Sequence, residues 1–546
     1  MRGWLQRQNS RDVLVLAAMA VLVTAANLWK PFHVDDTAHL LIAQWIAENP
    51  LRPMSGMLNW IGVDEPIHRT NQPHLFFYLM AGWGRLFGWS EVAQHSLLAL
   101  ASVACIALMY RVSRRLVPDH AVWTTAMLVV SPAFVVSQNM MVDVPLLACW
   151  LWFFDALSSI GRGEKRSGPY VSAALAASCA VLIKYSSLAL IPVLASVILW
   201  DRRWRLVPVA AVPIVAIALW GSFNIADYGG VHILQRGGGS QDLLRPIKFA
   251  IAWVLIIGGI TPIGLVWAAS TPRIARWGFI ASVVGGALLL ATAALVAISL
   301  LSDQLAEPML WVLFAGSGLL AAAGIFVAAW RALPVILTRS SETHDDRLVL
   351  LLLLWIAGGA GFYILLAPFS AVRHILTILP AVVLVICFLI RGTLGKRAKM
   401  AALALSLFLC GALGLADFRF AQFYKQGAAQ VGDLLAAAPA PAGRTIWTSG
   451  HWGWQWYAAQ QGFQQIDYRT SHPARGEIFV EAVGVDRQYP KERLDLERIG
   501  SVQQKPSALS LFCTARPRRF YLSSSREGPW SLSMNCTQRI DVYRVR

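Results

Sequence analysis

Val34-Asp35-Asp36-Thr37-Ala38-His39 places two adjacent carboxylates directly after an apolar run over 12–30. A run of that length suits a helix crossing the hydrocarbon core of a bilayer, which takes about 20 apolar residues. Carboxylates left at that depth are expensive unless something uses them. A further acid, Asp143 in Met140-Met141-Val142-Asp143-Val144-Pro145, stands at the mouth of a later apolar run. The pattern predicts a catalytic floor at one membrane surface.

Composition supports the membrane reading. Of 546 residues, 56% are hydrophobic and only 14% charged, and the mean hydropathy is +0.53. The net charge of +17 falls in short loops between apolar runs, where basic residues orient a chain in the membrane rather than bind nucleic acid. Five cysteines (Cys105, Cys149, Cys179, Cys387, Cys410) lie inside apolar runs and read as small packing residues. Spacing of Cys and His follows no metal-binding pattern.

The apolar runs predict an α-helical polytopic membrane protein with about thirteen transmembrane helices. Their expected positions are 12–30, 92–110, 121–137, 144–160, 170–185, 187–200, 206–223, 247–269, 277–301, 309–330, 348–367, 374–390 and 400–418. Arg2, Arg7 and Arg11 precede the first run, and the positive-inside rule then sets the N-terminus in the cytoplasm. Alternate loops agree: Arg111, Arg114 and Arg115 fall in one, Arg202, Arg203 and Arg205 in another, Arg391, Lys396, Arg397 and Lys399 in a third. The opposite loops are poor in Lys and Arg, and an odd number of spans leaves the C-terminus extracytoplasmic. The first run is read as a retained helix rather than a cleaved signal, and the expected location is the plasma (inner) membrane.

Two regions divide from the bundle. Residues 1–418 form the expected transmembrane catalytic domain, with 31–91 as a large extracytoplasmic and interfacial loop. In that loop Leu41, Ile42, Trp45 and Ile46 recur at helical spacing, predicting an amphipathic interfacial helix. The aromatic run 75–88 is too short for a crossing and reads as a second interfacial or re-entrant segment. Residues 419–546 form an expected extracytoplasmic α/β domain, with a helix over 421–437 and strands at 519–522 and 540–545. Cys513 and Cys536 lie in this domain; an oxidising compartment would allow a disulfide, and two unpaired thiols is the equal alternative.

These residues carry a resemblance. The chain resembles a GT-C glycosyltransferase of the protein O-mannosyltransferase and aminoarabinose-transferase type, dependent on a polyprenyl-phosphate sugar. An acid pair followed by an aromatic residue after the first span is matched by Asp35-Asp36 with His39. A second acid before a later span is matched by Asp143-Val144-Pro145-Leu146, and a Lys near the outer end of a middle span by Lys184-Tyr185-Ser186-Ser187. An Arg, aromatic and Pro pattern opening a late span is matched by Arg373-His374-Ile375-Leu376-Thr377-Ile378-Leu379-Pro380, and a Lys-Pro-Pro-Leu-like run loosely by Asn71-Gln72-Pro73-His74-Leu75.

The resemblance implies a sugar donor held in the bilayer by its polyprenyl phosphate and an extracytoplasmic acceptor: a protein, lipid A or a glycan. Attack at the anomeric carbon needs a base, for which Asp35 is the first choice. Asp36 and Asp143 complete the candidate catalytic set. Lys184 and Arg373, with Arg69 third, are the candidates for stabilising charge on the departing phosphate. His39 and His74 are candidate acceptor or metal contacts, and Asp36 or Asp143 would suit a divalent metal ion through hard oxygen ligands. Relatives place an acidic and a basic residue where this chain has Asn71 and Gln72, so that contact does not carry over, although His68 and His74 could substitute chemically.

Each residue also has a structural reading. Asp36 or Asp143 would serve as a helix cap, Lys184 would reach to lipid headgroups, Arg373 would anchor at the interface, and His39 would pack. For the whole chain, a transporter or lipid flippase and a lipid-linked polymer ligase of similar architecture remain the alternatives.

Overall fold

The computed structural model describes residues 2–60, 62–69, 72–161, 166–235, 242–338, 343–437, 445–483, 485, 493–505, 510–511, 519–534 and 538–546. It is a helical bundle with a small sheet domain seated on one end. Among the described residues seven helices are long and apolar enough to cross a membrane, or eight if a bent pair counts as one span. They are Ser10–Leu28, Glu91–Leu116, Trp204–Tyr228, Ala275–Ala297, Gln304–Leu337, His344–Leu365 and Lys396–Ala437. Side chains such as Trp277, Phe279, Leu290 and Phe326 are more than half exposed along them. An apolar surface of that extent in water would be untenable, so it belongs against lipid.

The remaining expected spans are realised as shorter pieces. The 121–137 run divides into Ala121–Val129 and Pro132–Val136, with Ser131 capping the second piece by accepting from the Phe134 amide. The 247–269 run is the bent pair, Arg245–Ile260 and Ile263–Ser270, which turns by 77° at Thr261-Pro262, because proline cannot continue the donor ladder of the helix before it. Gly168–Ile183 and Tyr185–Trp200 meet at Lys184, and Val372–Leu376 precedes Leu379–Ile390. The breaks at Lys184 and beside Arg373 matter below, since they put charged side chains where helices end.

In the first loop, the expected amphipathic helix is Asp36–Glu48 and the aromatic run is the helix Leu75–Phe87. The first of these is not spread on a membrane surface along its apolar face: Leu40, Ile42, Ala43 and Ile46 are fully buried, packed in the same core as Phe76, Phe77 and Met80. A short hairpin, β1 (Met57–Asn59) with β2 (Asp64–Pro66), completes the loop.

The sheet domain has strand order β4-β3-β5-β7-β6, from β3 (Ile446–Ser449), β4 (Gln464–Gln465), β5 (Ile478–Val483), β6 (Leu496–Gln503) and β7 (Arg539–Val545). β3 pairs in parallel with β4 and β5, and β7 runs antiparallel between β5 and β6. With the helix Gly453–Gln460 this is the expected α/β domain. β5 is buried along almost its whole length, as its central place requires, and β6 alternates toward solvent as an edge. Two expectations change. The 418/419 boundary falls inside one continuous helix, Lys396–Ala437. The expected strand at 519–522 is a turn, joined to the bundle by a bridge from Ser523 to Ser370. Cys513 and Cys536 lie outside the described residues.

The bundle is tightened by glycine. A Cβ on Gly318 would lie 1.9 Å from the Val254 carbonyl oxygen, and one on Gly258 1.9 Å from that of Phe314. The helices Arg245–Ile260 and Asp303–Thr338 therefore approach backbone to backbone, as small residues allow in a membrane. Gly318→Ala should cost about 1–3 kcal/mol through forced separation. Gly316→Ala, with nothing within 4 Å of its Cβ, should leave the thermal unfolding midpoint in detergent at or above that of the parent.

Candidate functional site

A cavity of about 600 Å³ opens between the first loop and the bundle. Asp35, His39, Asp143, Lys184 and Arg373 all line it. Four of these form a line of alternating charge. Arg373 Nη2 lies 3.0 Å from Asp35 Oδ2, Arg373 Nε lies 3.6 Å from Asp143 Oδ2, and Lys184 Nζ lies 2.8 Å from Asp143 Oδ1.

Local chain geometry aims each of them. Asp35 is the N-cap of the Asp36–Glu48 helix, but its carboxylate makes no capping bond; it turns to Arg373 instead. Asp143 is the first residue of the Asp143–Ser158 helix, and its carboxylate faces Lys184 and Arg373. Lys184 is in extended backbone, φ −155° and ψ 129°, between Ile183 and Tyr185. That break lets its ammonium point sideways into the cavity rather than along a helix to the headgroups. Arg373 sits in the five-residue helix Val372–Leu376, and its guanidinium is 11% exposed, so it is not a surface anchor.

Aromatic rings frame the charges. Lys184 lies 5.6 Å from the centre of the Tyr363 ring and Arg373 5.5 Å from that of Phe369; such contacts help a cation tolerate partial burial. His374 stacks on Tyr363 at 4.5 Å with planes 18° apart. Toward the sheet domain, Trp60 lines the cavity and rests 5.1 Å from the His451 ring. His39 is anchored by Nδ1 at 2.7 Å from the Met140 carbonyl oxygen and by its ring against Phe77. It lines the cavity while also packing.

Asp36 points the other way. Its carboxylate accepts the His33 backbone N–H at 2.9 Å and is fully buried. It belongs to a separate network with Lys30, His33 and Asp417, in which His33 Nε2 is 2.9 Å from Asp417 Oδ1. Burial pulls the His33 pKa down, but the Asp417 and Asp36 carboxylates outweigh it and raise the value overall. Arg69 and His74 also stand apart from the cavity lining. Arg69 is mostly exposed near Glu65. His74 is buried against Phe77 and Trp220, held there as the N-cap residue of Leu75–Phe87. Gln72 lines the cavity, whereas Asn71 lies outside the described residues.

No group of three or more His, Cys, Asp or Glu side chains suited to a metal ion occurs among the described residues. Both cavity carboxylates instead face cations. Sequence reasoning did not single out Tyr363, Phe369 or Trp60; an aromatic residue in an aromatic-rich apolar chain carries no mark that separates a cavity wall from ordinary packing.

The family model described as dolichyl-phosphate-mannose-protein mannosyltransferase matches residues 71–223, a stretch that contains Asp143 and Lys184. No curated protein matches the chain. Among solved structures the chain is similar to ArnT from Cupriavidus metallidurans bound to undecaprenyl phosphate, at 15% identity over 86% of this chain and 93% of that one, with a TM-score of 0.40. It is also similar to the oligosaccharyltransferase of Archaeoglobus fulgidus in its apo form, at 13% identity over 83% of this chain and 64% of that one, with a TM-score of 0.43.

Proposed function

We propose that this chain is a membrane glycosyltransferase of the GT-C type that moves a sugar from a polyprenyl-phosphate donor to an acceptor on the extracytoplasmic side, with Asp35 as general base. The single observation that carries the reading is the line Asp35, Arg373, Asp143, Lys184 along one cavity wall. The family-model match over 71–223 agrees with it. The distribution of basic loops supports it as well, since the positive-inside rule favours this end of the bundle on the extracytoplasmic side.

The chemistry follows from the charges. In transfer, an acceptor hydroxyl or amine forms a bond to the anomeric carbon and gives its proton to Asp35. The bond between that carbon and the phosphate oxygen breaks, and the polyprenyl phosphate leaves with the electron pair. Lys184 and Arg373 meet charge that grows on the leaving phosphate, so they stabilise the transition state more than the bound donor.

At rest Arg373 is paired with Asp35. A donor phosphate between Arg373 and Lys184 competes for that guanidinium and frees Asp35 from the pair. The apolar wall of Phe362, Leu366 and Phe369 runs from the charged floor to the end of the His344–Leu365 helix, where Leu365 and Leu366 are largely exposed. It supplies a path for the polyprenyl chain from the bilayer.

Asp35→Asn should lower transfer by about 10²–10⁴ with expression and membrane insertion unchanged. The measurement is mass spectrometry of glycolipids and glycoproteins from cells carrying each variant; a full rate in Asp35→Asn overturns the base assignment. Lys184→Gln and Arg373→Gln should each weaken undecaprenyl phosphate binding to the purified chain by roughly ten- to a hundredfold, the range of one lost charge-assisted hydrogen bond. Unchanged binding, read by native mass spectrometry, would remove these two from the phosphate site.

A further inference from the structure

The turn that aims Asp35 is strained. Val34 has φ +53°, a left-handed conformation in which a β-branched side chain is a genuine outlier. The turn runs from His33 to Asp36, closed by the Asp36 amide donating to the His33 carbonyl at 3.2 Å. Its first central position is one where glycine, asparagine or aspartate is usual when φ is positive. Strain of this kind costs about 1–3 kcal/mol and persists only where the surroundings hold it. Val34 is buried.

What holds it comes partly from the far end of the chain. Tyr521 donates its hydroxyl to Asp417 Oδ1, lies 3.0 Å from His33 Nε2, and accepts from Asn139 Nδ2 at 3.2 Å. His33 and Asp36 are thereby tied to the Lys396–Ala437 helix through Asp417. The segment bearing Tyr521 is also bound to the site itself. The Val372 amide donates to the Phe520 carbonyl at 3.1 Å, the Ser523 amide donates to the Ser370 carbonyl at 2.7 Å, and Arg373 Nη1 reaches the Tyr521 carbonyl at 3.4 Å. One residue of the sheet domain therefore touches Arg373 with its backbone and the base of the Asp35 turn with its side chain. Tyr521 does not line the cavity, so it acts only through others.

Against the same turn, a Cβ on Gly453 would lie 2.0 Å from the Phe32 carbonyl oxygen. The adjoining Trp452 also has positive φ, +64°, and its carbonyl accepts from Thr37 Oγ1 at 2.7 Å. Both sides of this contact hold a side-chain-bearing residue in the left-handed region.

We propose that Tyr521 is a positioning residue: with His33 and Asp417 it clamps the strained turn at Val34, so that Asp35 faces the cavity while Asp36 faces the bundle. The inference rests on Asp35 being the base. It makes the sheet domain part of the catalytic centre, because that domain supplies the clamp.

The test uses the full chain in membranes of cells lacking their own copy, with transfer followed by product mass spectrometry and undecaprenyl phosphate as the binding probe. Tyr521→Phe keeps the ring and loses the hydroxyl; transfer should fall about tenfold while undecaprenyl phosphate affinity stays within about twofold, the scale of one hydrogen bond to a charged partner. Adding Val34→Gly to Tyr521→Phe should restore transfer by at least about threefold, since glycine takes positive φ without steric penalty. Unchanged transfer in Tyr521→Phe overturns the proposal, as does a parallel loss of undecaprenyl phosphate affinity, or a Val34→Gly effect that lowers transfer equally with and without the hydroxyl. Asp35→Asn run beside it separates the two claims. If that variant is active the base reading fails, and if it is inactive while Tyr521→Phe is fully active only the clamp fails.

Discussion

Charge neutrality inside an apolar bundle is the constraint on which the rest of this structure turns. An isolated charge moved from water into such surroundings is far too costly to persist, so Asp143, with 2% of its side chain exposed, must keep its cations close. It has two, Lys184 and Arg373, and Arg373 in turn takes Asp35. All four residues stand at or beside helix ends. This placement is physically apt, because a helix terminus lets the chain change direction and presents the free amides and the dipole that favour carboxylates at N-termini. The apolar spans are broken where the charges are needed.

Two ion networks therefore lie back to back, separated by one turn. The inner one, Lys30, His33, Asp36 and Asp417, is closed off from solvent. The outer one is open to the cavity, with Asp35 27% exposed. Their composition is alike, yet their freedom differs. A buried ion cluster resists rearrangement, since breaking one pair leaves a charge uncompensated. The open one can exchange a carboxylate for a phosphate at the same cation with little change in net charge. A rigid network beneath a responsive one holds the turn in place while Arg373 changes partners.

Much of this was legible in the chain because charge is rare in it. Asp35, Asp143, Lys184 and Arg373 stood out as ionisable groups at the edges of apolar runs, and the cavity brings all four together. Asp35 is the first choice of base from the sequence, yet Asp36 shares the candidate catalytic set, since adjacent residues share every window of hydropathy; the backbone at Val34 separates them, and no sequence pattern foretells a valine at positive φ. Arg69 and His74 had the right chemistry and the wrong direction. Hydropathy windows also counted single spans where the chain makes breaks, as at Ser131 and Pro262, because such windows see composition and not the hydrogen bonds interrupted inside them. Tyr521 was read only as part of a strand at 519–522. Its partners lie 104, 382 and 488 residues away along the chain.

That separation bears on what a domain is in this molecule. Hydropathy divides the chain near residue 418, yet the helix Lys396–Ala437 runs through that point without interruption, carrying Asp417 on the bundle side. Asp417 is the common partner of Lys30 and His33 from the first loop and of Tyr521 from the sheet domain. Its carboxylate faces Lys30, His33 and that hydroxyl, so removing the sheet domain would take the hydroxyl alone. The turn at Val34 would then lose one of its directional restraints, the contact of His33 Nε2 with Asp417 Oδ1 remaining. Coulomb attraction falls off gently with distance, whereas a hydrogen bond weakens steeply once its angle opens. Holding a strained dihedral is a matter of direction, and the sheet domain contributes a directional bond to it.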